Sequence, residues 1–480
     1  MKLSTLALLA ALPHIYNGAM VSENNHQAPK VLFSKASYLN RYNHDIIAEE
    51  QNKVSYRDEN PKSNLLSSNG DKLQLNTSEI NNNTPSAVSA QCSQGNYQVS
   101  STAELEQLYQ CDNIVGSVHI SNYKGSVIDT GSIQTISGDL SVSNASSLVK
   151  INVPNLASIG GTFSLKELTS LASISAPSLN SVDSINWKVL PILSTATLDK
   201  GIKQIRSITI SDTSLTRVSG FDVATLNTLN LNNNRFLDII SMNVTSIKEK
   251  LTISANSKNA IALFPELKWA NNITIRDISS INLSNMEKVD ESMEFISNNF
   301  KSLKLPKLES VGGTLSIIEN HNLKEVEFNN IDEIGGGLMI VNNTMIESVN
   351  FFPKLSSIGG AIELLGSLKE ANFSKLRLVK GSAIIQSVYE SFDCSLWTKG
   401  LGDSGSIVRG GKITCISGSM KHDMNYNENG EILDESITSI ENSNKSSNRF
   451  RFSNDASAAK ANIAIKIFTA IAMTALIQYL

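Results

Sequence analysis

The segment Gly402-Asp403-Ser404-Gly405-Ser406 carries the residue types of a serine nucleophile loop. That chemistry needs a histidine base within hydrogen-bond reach of Ser404 and an aspartate to orient it. His14 sits in an apolar N-terminal run, and His26, His44, His119, His321 and His422 stand in no supporting context. Gly, Asp and Ser are also ordinary turn residues, and the segment reads as a turn. Gly410-Gly411-Lys412 lacks the upstream Gly and the following Ser/Thr of a phosphate loop. No His/Cys/Asp grouping has metal-ligand spacing, so neither a metal nor another cofactor is expected. Glu167, Asp277 and Glu319 recur at similar repeat offsets, but they lie too far apart along the chain to pair as glycosidase carboxylates do. They read as solvated turn charges. A polysaccharide-active enzyme on a β-helix stays as the alternative in that class, and a cell-surface receptor for a protein partner as the alternative in another.

What must hold these residues is a repeat. Apolar anchors fall at Val118, Leu140, Phe163, Ile185, Ile208, Leu229, Leu251, Ile273, Met293, Leu315, Leu338, Ile362 and Ile384, about 22 residues apart. From Leu140 the apolar positions continue at Val142, Leu148, Ile151, Leu156 and Ile159, and from Leu315 at Ile317, Leu323, Val326, Ile331 and Ile334. A unit of that length with short β-branched runs buries its apolar edge only against the next unit. Pro154, Pro177, Pro306 and Pro353 would break a helix in each coil. The fold class is therefore mainly β, a single right-handed β-solenoid of about 13 coils. The glycine pairs at Gly160-Gly161, Gly312-Gly313 and Gly359-Gly360, with Gly335 to Gly337, are expected where tight turns need positive φ. Asn144, Asn233, Asn256, Asn298, Asn320 and Asn343 follow the anchors and are expected to stack as one amide ladder.

Thirteen coils at about 4.8 Å make a rod of about 60 Å. Cys92 and Cys111 precede its first coil, and Cys394 and Cys415 follow its last. Disulfide Cα atoms lie within about 7 Å, so only Cys92–Cys111 with Cys394–Cys415 is compatible with a rod. Each pair would cap one end.

Both termini carry processing signals. Residues 1–19 have a short basic start, an apolar run from Leu3 to Leu12 and small residues at Gly18-Ala19, the order of a secretory signal peptide. At the other end small residues, a spacer and an apolar tail to Leu480 match a GPI-anchor signal, with Asn454 as the attachment residue and residues 455–480 removed. Between signal and solenoid, residues 20–91 are polar and Asn-rich and are expected to be mostly disordered. Residues 419–454 are read as a polar stalk. An extracellular course gives meaning to the Asn-x-Ser/Thr triplets at Asn76, Asn144, Asn243, Asn272, Asn282, Asn342, Asn372 and Asn444 as N-glycosylation acceptors. The 480 residues include 41 Lys plus Arg against 45 Asp plus Glu, a formal net charge of −4. That balance provides no basic face for nucleic acid.

The units Gly138-Asp139-Leu140-Ser141-Val142-Ser143-Asn144 and Leu355-Ser356-Ser357-Ile358-Gly359-Gly360, the end cysteines and the two terminal signals carry a family resemblance. The sequence resembles the fungal GPI-anchored cell-surface proteins that organise the cell wall, whose repeats are similar to receptor L domains. The likeness spans about residues 92–418 and both ends. It implies a non-enzymatic glycoprotein on the outer face of the plasma membrane or in the wall, with wall polysaccharide or wall-building proteins as partners. The long polar extension and the stalk without a Ser/Thr tract resemble the sporulation-specific branch, which implies a role in spore-wall assembly.

Overall fold

The computed structural model describes residues 90–398 and 406–440. The signal peptide, the polar extension with Asn76, and the anchor region with Asn444 and Asn454 lie outside them.

The chain winds as a β-solenoid of about 13 turns. In the coil that starts at Leu140, a principal strand (Leu140–Ser143) is followed by a corner at Asn144 and a short strand (Lys150–Asn152). A turn at Pro154 then leads into Ser158–Lys166, which bends at Gly160-Gly161 and becomes the principal strand of the next coil. Principal strands pair in parallel and in register, with Val118 beside Leu140, Leu140 beside Phe163, and so on to Leu338 beside Ile362. Every anchor from Val118 to Ile362 takes its expected place in this column and is at most 2% exposed. Alternation buries the head and third residue of each strand and turns the second and fourth toward the outer face, where Ser211 and Ser316 are nevertheless covered.

The last anchor differs. Ile362 pairs with Ala383, whereas Ile384 faces outward with 44% of its surface exposed. Ala383-Ile384-Ile385 offers two apolar phases, and packing selects the small residue and Ile385. The column also extends further each way, to Tyr97 beside Val118 and to Ile413 beside Ala383.

The glycine pairs do not have positive φ. They sit where successive coils touch backbone to backbone. A Cβ at Gly335 would overlap the Gly312 carbonyl, and one at Gly359 the Gly335 carbonyl. The left-handed corner lies elsewhere, four residues after each anchor. Among the described residues every non-glycine positive φ, from Asn122 (54°) to Asn342 (55°), occupies that corner. Asn144 and Asn233 belong there, exposed, and so do Glu167, Asp277 and Glu319. Asn, and to a lesser degree Asp, tolerate this conformation best. The buried ladder uses the next position, with Asn234 bonded to Asn256, and Asn298 to Asn320 to Asn343. The expected single ladder is thus two columns, and Ile278 interrupts the inner one between Asn256 and Asn298.

Among the described residues, helices occur only at the two ends of the solenoid. Thr102–Gln107 starts from a Ser101–Glu104 capping box and sends Leu105 into the core, and Ser395–Thr398 buries Trp397. Cys92–Cys111 (Cα–Cα 5.7 Å) and Cys394–Cys415 (6.0 Å) close the two ends in the pairing the rod requires. The stretch read as stalk from residue 419 begins with structure. Met420–Tyr426 pairs antiparallel with Lys412–Ser417, and Ile432–Ser439 pairs with Met420–Tyr426. Met424 and Tyr426 cover the end of the core, while every residue of Ile432–Ser439 is exposed. An outer strand that buries nothing has no apolar alternation by which to recognise it.

Candidate functional site

The residues first considered for catalysis are not brought together. Residues 402–405 lie outside the described part, and Ser406 is buried with its Oγ accepting from the Val408 N–H at 3.1 Å. His119 Nδ1 lies 2.6 Å from Ser141 Oγ on the principal sheet, and His422 is on the C-terminal hairpin. Gly410 has φ +68°, and the Lys412 ammonium pairs with Asp423 at 3.3 Å. Glu167, Asp277 and Glu319 occupy one corner column on separate coils. Among the described residues no group of three or more His, Cys, Asp or Glu could hold a metal ion.

The surface that the fold organises most regularly is the outer face of the principal sheet. Its first outward row runs Ser141, Ser164, Asn186, Thr209, Asn230, Thr252 and Thr274, one residue per coil in unbroken parallel register. Small hydroxyl and amide side chains therefore repeat at about 4.8 Å along the rod. The second row, two residues on, holds Ser143, Lys166, Lys188, Ser211, Asn232, Ser254 and Arg276. Lys166, Lys188 and Arg276 are exposed, so this half of the face is polar and weakly cationic.

Beyond Thr274 the character changes. Thr274 donates to Glu294 at 3.2 Å, and the second row becomes Ile296, Ile318, Val341 and Leu365, stacked side by side. Met339, Glu363 and Ile384 continue the first row. Burial between Met339 and Ile384 pushes the Glu363 carboxyl above its ordinary range.

The acceptor triplets avoid these rows. Asn144 and Asn342 stand at the corner, exposed, and Asn272 immediately precedes a principal strand, where its Nδ2 donates to Glu291 at 3.3 Å. Asn243, Asn282 and Asn372 follow or end the short strands on another side of the coil, and the Asn282 Oδ1 accepts from the Ser284 N–H at 3.0 Å. None of the six lies on an outward row of the principal sheet.

A groove of about 800 Å³ opens on the side of the short strands. Ser302–Lys304 pairs with Glu325–Glu327, and Ser348–Val349 with Glu370–Ala371, but no ladder joins one pair to the other. Two of its charges are paired, Lys304 with Glu325 at 3.0 Å and Glu347 with Lys369 at 2.7 Å. The sequence signals this groove only through an extra residue in the unit that starts at Leu338.

No family model matches the chain, and no solved structure does so significantly. Curated proteins do. Sporulation-specific protein 22 of Saccharomyces cerevisiae is 38% identical over 365 residues, which are 75% of this chain and 78% of that protein. Sporulation-specific protein 2 of the same yeast is 39% identical over 361 residues, 75% of this chain and 72% of that protein. The cell surface GPI-anchored protein ECM33 of Candida albicans is 31% identical over 313 residues, 65% of this chain and 76% of that protein. With the shared length lying mostly in the repeated coils, this chain belongs to the family of fungal GPI-anchored cell-wall proteins that has a sporulation-specific branch.

Proposed function

We propose that this protein acts without catalysis in building the fungal wall, in particular the spore wall, by presenting the polar half of its principal sheet to a hydroxyl-rich wall polymer. The observation that carries this reading is the uninterrupted row from Ser141 to Thr274. Hydroxyl and amide groups at a fixed spacing along a rigid rod match a ligand that repeats along its own length. Extended carbohydrate meets many weak contacts on such a face and needs no deep pocket. The absence of acceptor triplets from the outward rows fits this use, because a glycan there would block it. Anchoring at Asn454, with signal-peptide removal after residue 19, would hold the solenoid on the outer side of the plasma membrane or in the wall.

The test is binding of the full-length protein, solubilised from membranes, to β-glucan, chitin, chitosan and mannan. Thr209→Leu and Asn230→Leu together should reduce retention on the bound polymer at least tenfold while leaving the melting temperature within a few degrees. Retention on none of the four polymers would reject the direct-ligand reading. Release of soluble product, abolished by a single acidic substitution, would replace it with the enzyme reading. Normal spore walls in a strain lacking this protein and its close relatives would reject the sporulation role.

A further inference from the structure

Met286, Leu308, Ile331, Leu355 and Leu376 are buried at one position of successive coils, and the residues on either side of them face outward. The column after them runs Glu287, Glu309, Asp332, Ser356 and Arg377, tied from coil to coil by backbone bonds of 2.8 to 2.9 Å. The column before them runs Asn285, Lys307, Asn330, Lys354 and Lys375. Asn285 Oδ1 accepts from the Lys307 ammonium at 2.7 Å, and Asn330 Oδ1 from that of Lys354 at 2.6 Å. Amide and ammonium thus alternate until Lys375, which stands beside Lys354 with no asparagine between them. Arg377 likewise ends a column of acids, and its guanidinium donates to the Leu376 carbonyl at 3.4 Å. The ion pairs among the described residues include none of Asp332, Lys354, Lys375 and Arg377. The small Ser356 leaves a hollow of about 530 Å³ between these four.

We propose that this hollow binds the phosphate group of a phosphorylated sugar. Neighbouring coils lie about 4.8 Å apart and alternate residues of one strand about 6.8 Å apart, so Lys354, Lys375 and Arg377 rise around one phosphate-sized space. Like charges set side by side destabilise each other, and an anion among them relieves that cost. Three cations against the single Asp332 carboxylate leave a charge of +2. A phosphate monoester brings about −1.5 to −2 and three acceptor oxygens, whereas a carboxylate brings half that charge and two oxygens. Arg377 offers forked donors and the lysines point charges. Lys354 keeps two N–H donors after its bond to Asn330. Asn330 is itself fixed, its Nδ2 donating to the Pro306 carbonyl at 2.7 Å, so one cation is held in place before any ligand arrives. Asp332 repels a bare phosphate but accepts from a sugar hydroxyl, which selects a sugar phosphate over the inorganic ion. The hollow lies off the outward rows of the principal sheet, and its assignment does not rest on the polymer reading of those rows.

Ligand titration of the full-length protein, solubilised from membranes, tests this. The parent protein carries Asn372→Gln, so that no glycan three residues from Lys375 can cover the hollow. Glucose 6-phosphate, followed by phosphorus NMR line broadening, should bind about tenfold more tightly than glucuronate added as competitor. It should also bind more tightly than inorganic phosphate. Lys375→Gln with Arg377→Gln should weaken it by about tenfold at an unchanged melting temperature. Asp332→Asn should lower the affinity for glucose 6-phosphate and raise that for inorganic phosphate, an inversion that a damaged fold does not produce. Thr209→Leu with Asn230→Leu should change none of these affinities. Retention on phosphorylated dextran, and not on plain dextran, would identify a glycan-borne phosphate as the source. Binding of glucose 6-phosphate without that retention would identify a free sugar phosphate. No line broadening, glucuronate binding as tight as glucose 6-phosphate, or a Lys375/Arg377 double variant that binds like its parent overturns the proposal. A preference for inorganic phosphate also overturns it.

Discussion

Asn298 Nδ2 donates to Asn320 Oδ1 at 3.0 Å, and the backbone N–H of Asn298 donates to the same oxygen at 3.0 Å. Asn320 in turn donates from Nδ2 to the Phe295 carbonyl at 2.9 Å and to Asn343 Oδ1 at 3.2 Å. One buried amide thus satisfies two backbone groups of the preceding coil and hands the pattern on to the next. Replacing Asn320 by Leu orphans a buried N–H and a carbonyl, at about 1–3 kcal/mol each. Amide hydrogen exchange should accelerate in the coils around residues 293–345 and stay unchanged near residues 118–165, because coils couple chiefly to their neighbours. Asn233→Gly, at the exposed left-handed corner, should leave exchange in its coil nearly unaltered.

Gly335 stacks between Gly312 and Gly359 with no room for a side chain. Gly335→Ala must push two backbones apart, and a loss of about 2–3 kcal/mol is expected. The urea midpoint of the full-length protein should fall. An unchanged midpoint would mean that the coils separate freely at this corner.

Val189 has φ 58° at the corner where other coils place Asn, Asp, Glu, Ala or Ser. A β-branched residue is strained there. Val189→Asn should raise stability by about 1 kcal/mol, read as a higher urea midpoint. Since Val189 is 42% exposed, little apolar burial is lost in the exchange.

Burial pushes the Asp423 carboxyl up, but hydrogen bonds from Lys421, Thr414 and Lys412 outweigh it and hold the pKa at about 2. An acid whose folded pKa lies below its unfolded value of 3.8 contributes stability above that value. This stability is lost as pH falls through the folded pKa. Acidification from about pH 4 to pH 2 should therefore loosen the C-terminal hairpin, seen as hydrogen exchange in residues 412–426. Asp423→Asn should remove most of that pH dependence.

Much of this architecture was legible because a solenoid repeats its core. Twelve anchors from Val118 to Ile362 could be placed from spacing alone, and the rod then fixed the cysteine pairs. Where repetition fails, so does legibility. Tyr97 and Ile413 were missed because a cap segment separates one from the regular pattern and a helical insertion the other. The Ile384 phase was ambiguous between neighbouring isoleucines, which only packing against Ile362 resolves. Glycine pairs suggest turns in any sequence, and the approach of a carbonyl from the next coil is invisible until the coils are stacked. The polar rows on the principal face were hidden for a related reason. Ser141 and Thr274 are unremarkable singly, and only registration makes them a surface.

The principal-strand hydrogen bonds run along the rod axis, between coils, and the chain enters at one end and leaves at the other. Tension between a membrane attachment and a wall contact would load those bonds by opening them in sequence from an end rather than by shearing all together. Each released coil of about 22 residues would add roughly 75 Å of slack. Cys394–Cys415 locks the first coil that such a pull from the C-terminus would reach. Under such tension a protein built this way would lengthen coil by coil, with its caps setting the threshold.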